Sequence, residues 1–212
     1  MRTCNHIFST MQQFSIFLEE NDISCDASML VRVHTAVHDA EGMRTLLEEL
    51  KLLLPNAQFI GCSSPAVIFN GRRLTEVCMI SVTVFAASEQ CSVDSVSLSC
   101  FSECNESGER TSVSGDVLAM QVIESLGLRE RKGQLLVFLP QKYYQACKFA
   151  ETIDTLCPDI RIIGGIANDQ QVEFSAEGVI TESDFTISRE YCGSGHLAAA
   201  VLSSPQMQCS ES

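Results

Sequence analysis

Two short runs of small, hydrogen-bonding residues carry the chemistry most readily read from the chain. Gly61-Cys62-Ser63-Ser64-Pro65 holds a thiol and two hydroxyls, and Gly164-Gly165-Ile166-Ala167-Asn168-Asp169 holds two glycines, an amide and a carboxylate. Each run follows a β-type apolar stretch. In an open α/β sheet, ligands settle beyond the carboxyl ends of strands, and small residues let a ligand approach the backbone. On this reading Cys62, Ser63, Ser64, Gly164, Gly165, Asn168 and Asp169 bind a small polar ligand, with Asn168 and Asp169 available to an amino group. The alternative is that both runs are tight turns, in which Gly supplies unusual backbone angles and Ser caps a helix.

A catalytic reading takes Cys62 as nucleophile, His34 or His196 as base, and Asp39 or Asp169 to orient the base. Against it, Gly-Cys-Ser-Ser-Pro is not a Gly-x-Ser-x-Gly elbow, and the chain has no Walker lysine, Gly-x-Gly-x-x-Gly fingerprint or His-Glu-x-x-His site. A thiol beside an apolar strand is more often a small core residue. Zinc fares no better, since Cys100-Phe101-Ser102-Glu103-Cys104 lacks a second ligand pair at nearby spacing.

The elements that must position these residues follow from periodicity. Residues 7–20 read as an amphipathic helix with Ile7, Met11, Phe14, Phe17 and Leu18 on one face, suited to packing on the domain or docking a partner. A strand at Leu30–Val33 precedes a helix capped by Asp39, in which Met43, Leu46, Leu47, Leu50 and Leu54 recur at helical spacing until Pro55. Strand Ala57–Gly61, a hairpin turning at Asn70-Gly71 and a strand within Val77–Phe85 complete a first half. A half-exposed strand at Ser92–Phe101, a turn at Cys104–Gly108 and a helix at Val113–Leu126 lead into a second half. It runs through strand Leu135–Phe138, helix Lys142–Leu156, strand Arg161–Ile163, a hairpin near Glu177-Gly178 and strand His196–Leu202. The order is β-α-β-hairpin-β twice, and in each half a Gly follows a Pro by six residues: Pro55 and Gly61, Pro158 and Gly164. The expectation is an α/β fold of two similar halves with mixed sheets, and an internal duplication.

Composition bounds the function. The 212 residues are 45% apolar and 19% charged, enough for a sizeable core. With 14 Lys and Arg against 27 Asp and Glu, the net charge of −13 argues against nucleic acid and anionic membranes. Eleven scattered cysteines, an odd number, read as thiols of a reducing compartment. No apolar h-region follows Met1, and runs such as Leu197–Leu202 fall far short of the ~20 residues that span a bilayer, so the expected location is cytoplasmic without membrane insertion.

The strand-helix opening, Pro55-Asn56-Ala57-Gln58-Phe59-Ile60-Gly61-Cys62-Ser63-Ser64, Ile68-Phe69-Asn70-Gly71 and Ile162-Ile163-Gly164-Gly165-Ile166-Ala167-Asn168-Asp169 together resemble the N-terminal region of the FIST domain family over about residues 28–203. That resemblance implies a bacterial intracellular sensor of small ligands such as amino acids. Its output would be a fused or separate diguanylate cyclase, histidine kinase or chemoreceptor. Ser64-Pro65-Ala66 stands where members often have a Gly-rich turn. Members also usually continue into a C-terminal portion, so a pocket shared with that portion would be incomplete in this chain. Some members are described as haem-binding nitric oxide sensors, which makes His34, at the end of the first strand of the first half, a candidate axial ligand ahead of His38, His196 and His6. Without a C-x-x-C-H sequence any haem would be held non-covalently.

The expected organisation is an N-terminal helix and lead-in over 1–27, a ligand-binding domain over 28–203 with halves at about 28–102 and 112–203, and a tail over 204–212. The leading expectation is a sensory domain that recognises and does not catalyse. A haem sensor, a scaffold that docks partners through residues 7–20, and a Cys enzyme are the alternatives.

Overall fold

Alternation along the strands divides the apolar side chains between three layers of core. In strand β2, Met29–Thr35, the odd residues Met29, Val31 and Val33 join a cluster with Phe14, Leu18, Leu46, Leu47 and Leu50, which come from helices α1, Met11–Glu20, and α2, Ala40–Leu53. The even residues Leu30, Arg32 and His34 point the other way. That arrangement follows from the two-residue period of a strand meeting the 3.6-residue period of a helix. The computed structural model describes residues 1–37, 39–85, 91–102, 110–167 and 184–203.

The first sheet contains β1, Arg2–Phe8; β2; β3, Ala57–Ser63; β6, Cys78–Val84; β10, Thr186–Ser188; and β11, Cys192–Gly193. Its order is β1-β6-β2-β3-β10-β11, and β2 and β3 are parallel. The second contains β7, Ser92–Ser99; β8, Gly133–Leu139; β9, Ile160–Ile166; and β12, His196–Ser203. Its order is β7-β12-β8-β9, with β8 and β9 parallel. A hairpin of β4, Val67–Phe69, and β5, Arg72–Leu74, stands apart, turned by Asn70 and Gly71 at φ 50° and 75°. The fold is mixed α/β. In both sheets the first strand pairs antiparallel with the last of its unit. That last strand pairs antiparallel with the second, which runs parallel to the third.

Helices α3, Gly115–Leu126, and α4, Ala146–Leu156, cover the outer face of the second sheet through Leu118, Val122, Phe149 and Ile153. A third cluster, with Leu30, Ile60, Cys62, Val93, Leu136, Phe138 and Leu202, lies between the sheets. The order is helices, sheet, sheet, helices. Burying a Leu, Ile or Phe contributes roughly 1.5–3 kcal/mol each, so all three layers matter.

Local signals were obeyed where they were strong. Asp39 caps α2, accepting the Gly42 N–H at 2.9 Å. Residues 7–10 differ from the helix expected there: Arg2–Phe8 is an edge strand, and α1 begins only at Met11 after Thr10 caps it. Strand β1 buries Cys4 and Phe8 partly against the helices, so its alternating pattern merges into the helical period of α1. Helix α4 starts at Ala146, four residues later than expected, because Gln141–Gln145 turn first to send Tyr143 inward. The turn expected at 104–108 and the hairpin near 177–178 lie outside the described residues.

The repeated Pro-x5-Gly has a packing cause. Gly61 and Gly164 occupy matching positions in β3 and β9, opposite Val33 and Val137. A Cβ at Gly61 would sit 1.9 Å from the Val33 carbonyl oxygen, and one at Gly164 would sit 1.8 Å from that of Val137. Each parallel pair approaches too closely for any side chain there.

Candidate functional site

The two runs singled out in the sequence sit largely inside strands. Cys62 lies in β3, 5% exposed, with its side chain in the layer between the sheets. Ser63 ends β3 fully buried and exchanges two hydrogen bonds with Phe185: its N–H donates to the carbonyl at 2.9 Å, and its Oγ accepts the Phe185 N–H at 3.0 Å. Ser64 donates its N–H to Thr35 O and its hydroxyl to Ala66 O. Gly164 and Gly165 belong to β9 and are exposed. Among the described residues no hydrogen bond joins the two runs. Asn168, Asp169 and His38 lie outside the described residues.

The Cys62 sulfur is 4.0 Å from His34 Nδ1, so the nucleophile and base of the catalytic reading do meet. Their chemistry is opposed to reaction. Burial pushes the Cys62 thiol up to about 12, while burial, and after it the Arg32 charge, pushes His34 down to about 4. The proton therefore stays on sulfur by many orders of magnitude, and Asp39 is engaged as a helix cap. His34 is also packed edge-on against Phe138, ring centroids 5.3 Å apart. A neutral imidazole suits a haem donor, but neither of the two cavities described below includes it. No group of three His, Cys, Asp or Glu among the described residues is arranged to hold a metal ion.

The strand-end rule points instead to β8. Beyond its last residue, Leu139, a cavity of about 200 Å³ is lined by Phe101, Arg110, Pro140, Lys142, Asp184 and Gly195. Asp184 is only 7% exposed, and its Oδ2 accepts the Gln141 N–H at 2.9 Å. Its neighbour Phe185 is bound to Ser63, so residues 184–185 tie the carboxyl end of β3 to that of β8. Two cationic side chains, one carboxylate and the Phe101 ring thus converge on one hollow. Tyr143, the ring Phe101 meets edge-on at 6.5 Å, donates its hydroxyl to Val113 O and holds this wall in place. A second cavity, about 170 Å³, opens between the sheets beside Arg32.

A model of the FIST N domain matches residues 29–210. The chain belongs to the FIST family. Comparison with curated proteins gave no match. FIST domains are sensory signalling domains, and no helix among the described residues is long and apolar enough to cross a membrane.

Sequence reasoning pointed to the carboxyl ends of β3 and β9, and the cavity lies at the carboxyl end of β8, the neighbour of β9, with a different set of side chains. Lys142 had a signal, since it stands four residues beyond the expected strand Leu135–Phe138 and two after Pro140. Asp184 and Arg110 had none, because each reaches the cavity from a segment without periodicity.

Proposed function

We propose that this FIST domain is a sensory module that binds a small zwitterion, of the amino-acid class, in the cavity beyond β8. The observation that carries the reading is the convergence of opposite charges there. Arg110 and Lys142 face a ligand carboxylate, Asp184 faces its ammonium group, and Phe101 offers an apolar surface to its side chain. Charge-assisted hydrogen bonds of this kind are roughly twice as strong as neutral ones and select for both ends of the ligand. Ser63 acts through the fold, holding Phe185 and hence Asp184. Asn168 and Asp169 remain part of the proposed site on the strength of their position after β9.

Signalling follows from the same geometry. Residues 184–185 bridge the two sheets, so a ligand that engages Asp184 alters how firmly the units are joined. Only a difference in affinity between two arrangements shifts their populations. The proposed output is a fused or separate module, such as a diguanylate cyclase, histidine kinase or chemoreceptor. The test is thermal unfolding by circular dichroism against a panel of amino acids, the matching α-hydroxy acids, and amines. A selective rise with amino acids, lost in Asp184→Asn, supports the proposal. A rise unchanged in that variant, or none with any of them, refutes it.

A further inference from the structure

Among the described residues, the charge of Arg32 in the cavity between the sheets has no counter-charge. Arg32 sits in the middle of β2 on the face turned toward the second sheet, between Leu30 and His34. Its Nε is buried with no hydrogen-bond partner, and none of the ion pairs among the described residues involves it. Burial lowers its pKa, yet a guanidinium stays charged under ordinary conditions. Arg32 is half-buried, and a guanidinium drawn part-way out of water without a counter-charge favours an anionic ligand beside it.

The equivalent positions of the two units show what a merely structural residue would be. Strand registers align Arg32 with Leu136, Thr83 with Leu202, Thr3 with Val93, and Ile163 with Ile60. Ile60, Val93, Leu202 and Leu136 belong to a single buried cluster, and Ile60 is fully buried. Their equivalents Ile163, Thr3, Thr83 and Arg32 line an open cavity of about 170 Å³, which Leu136 and Leu202 also line, with Ile163 43% exposed. The match between the units breaks at this cavity: Leu136 and Leu202 form part of its apolar wall, and their equivalents Arg32 and Thr83 make the facing wall polar and charged.

We infer that this cavity is a second ligand site, separate from the one beyond β8, for a short aliphatic carboxylate. The anionic end pairs with Arg32, flanked by Thr83 and Gln134, and the chain lies along Leu136 and Ile163. The apolar lining selects a tailed acid over inorganic phosphate. The charge selects it over the corresponding alcohol.

The experiment is isothermal titration of the full chain with hexanoate, hexan-1-ol and inorganic phosphate. Hexanoate should bind saturably and the other two at least about tenfold more weakly, the loss expected for one charged hydrogen bond. Arg32→Met should weaken hexanoate by a similar factor and leave the unfolding midpoint unchanged or raised, since an apolar replacement relieves a half-buried charge without an ion-pair partner among the described residues. Ile163→Trp fills the hollow from the edge strand with Arg32 intact, and should also abolish binding. The inference is overturned if hexanoate does not bind, if phosphate or the alcohol matches it, or if either variant binds like the wild type. A sharp fall in the Arg32→Met midpoint would also overturn it, by showing that the charge serves the fold.

Discussion

At the scale of single residues, burial decides which chemistry is open. Cys62 has a buried thiol held up to about 12, whereas Cys147 is exposed on α4. Alkylation of the folded protein with iodoacetamide, read by peptide mass spectrometry, should label Cys147 at least about tenfold faster than Cys62, because the thiolate is the reactive form. Rapid labelling of Cys62 would revive the catalytic reading. His34 gives a pH signature. Its folded value of about 4 lies below the ordinary 6.5, so the unfolded chain takes up the proton first as pH falls. Its contribution to stability is therefore intact above about pH 6.5 and lost progressively toward pH 4, by roughly 3 kcal/mol in all. Urea unfolding across that range should show a shallower decline in His34→Gln than in the wild type.

At the scale of elements, the parallel pairs β2-β3 and β8-β9 depend on glycine at one matched position. Gly61→Ala and Gly164→Ala should each cost about 2 kcal/mol or more, because backbone lies where the Cβ must go. At Gly165, one residue on, a Cβ meets nothing within 4 Å, so Gly165→Ala should stay within about 0.5 kcal/mol. Denaturant midpoints of the three variants check this. The same pair shows what the sequence made legible. Pro-x5-Gly marked both halves because a close backbone approach permits no other residue, and the run of leucines in α2 marked its buried face. Strand β1 was hidden by its continuity with the apolar period of α1, and β10 and β11 were hidden by shortness, having three and two residues. The site was legible only as a place. Strand ends can be found from periodicity, but Asp184 and Arg110 arrive by tertiary folding of irregular segments.

At the scale of the molecule, two similar sheets pack face to face, and two unlike hollows are seen among the described residues. The one beyond β8 is bridged by residues 184–185, which bind Ser63 of one unit and Gln141 of the other. The Ser63 contact is worth testing for itself. Ser63→Ala leaves the buried Phe185 N–H without its acceptor, and should destabilise the protein by roughly 1–3 kcal/mol while weakening ligand binding beyond β8, measured by denaturation and titration on the same sample. The central claim is that a zwitterion occupies that hollow, and the most direct measurement is a ¹H–¹⁵N correlation spectrum recorded while amino acids are added. The account predicts saturable shifts centred on Phe101, Arg110, Gln141, Lys142, Asp184 and Gly195. Shifts centred elsewhere, or a spectrum that no amino acid perturbs, would contradict it.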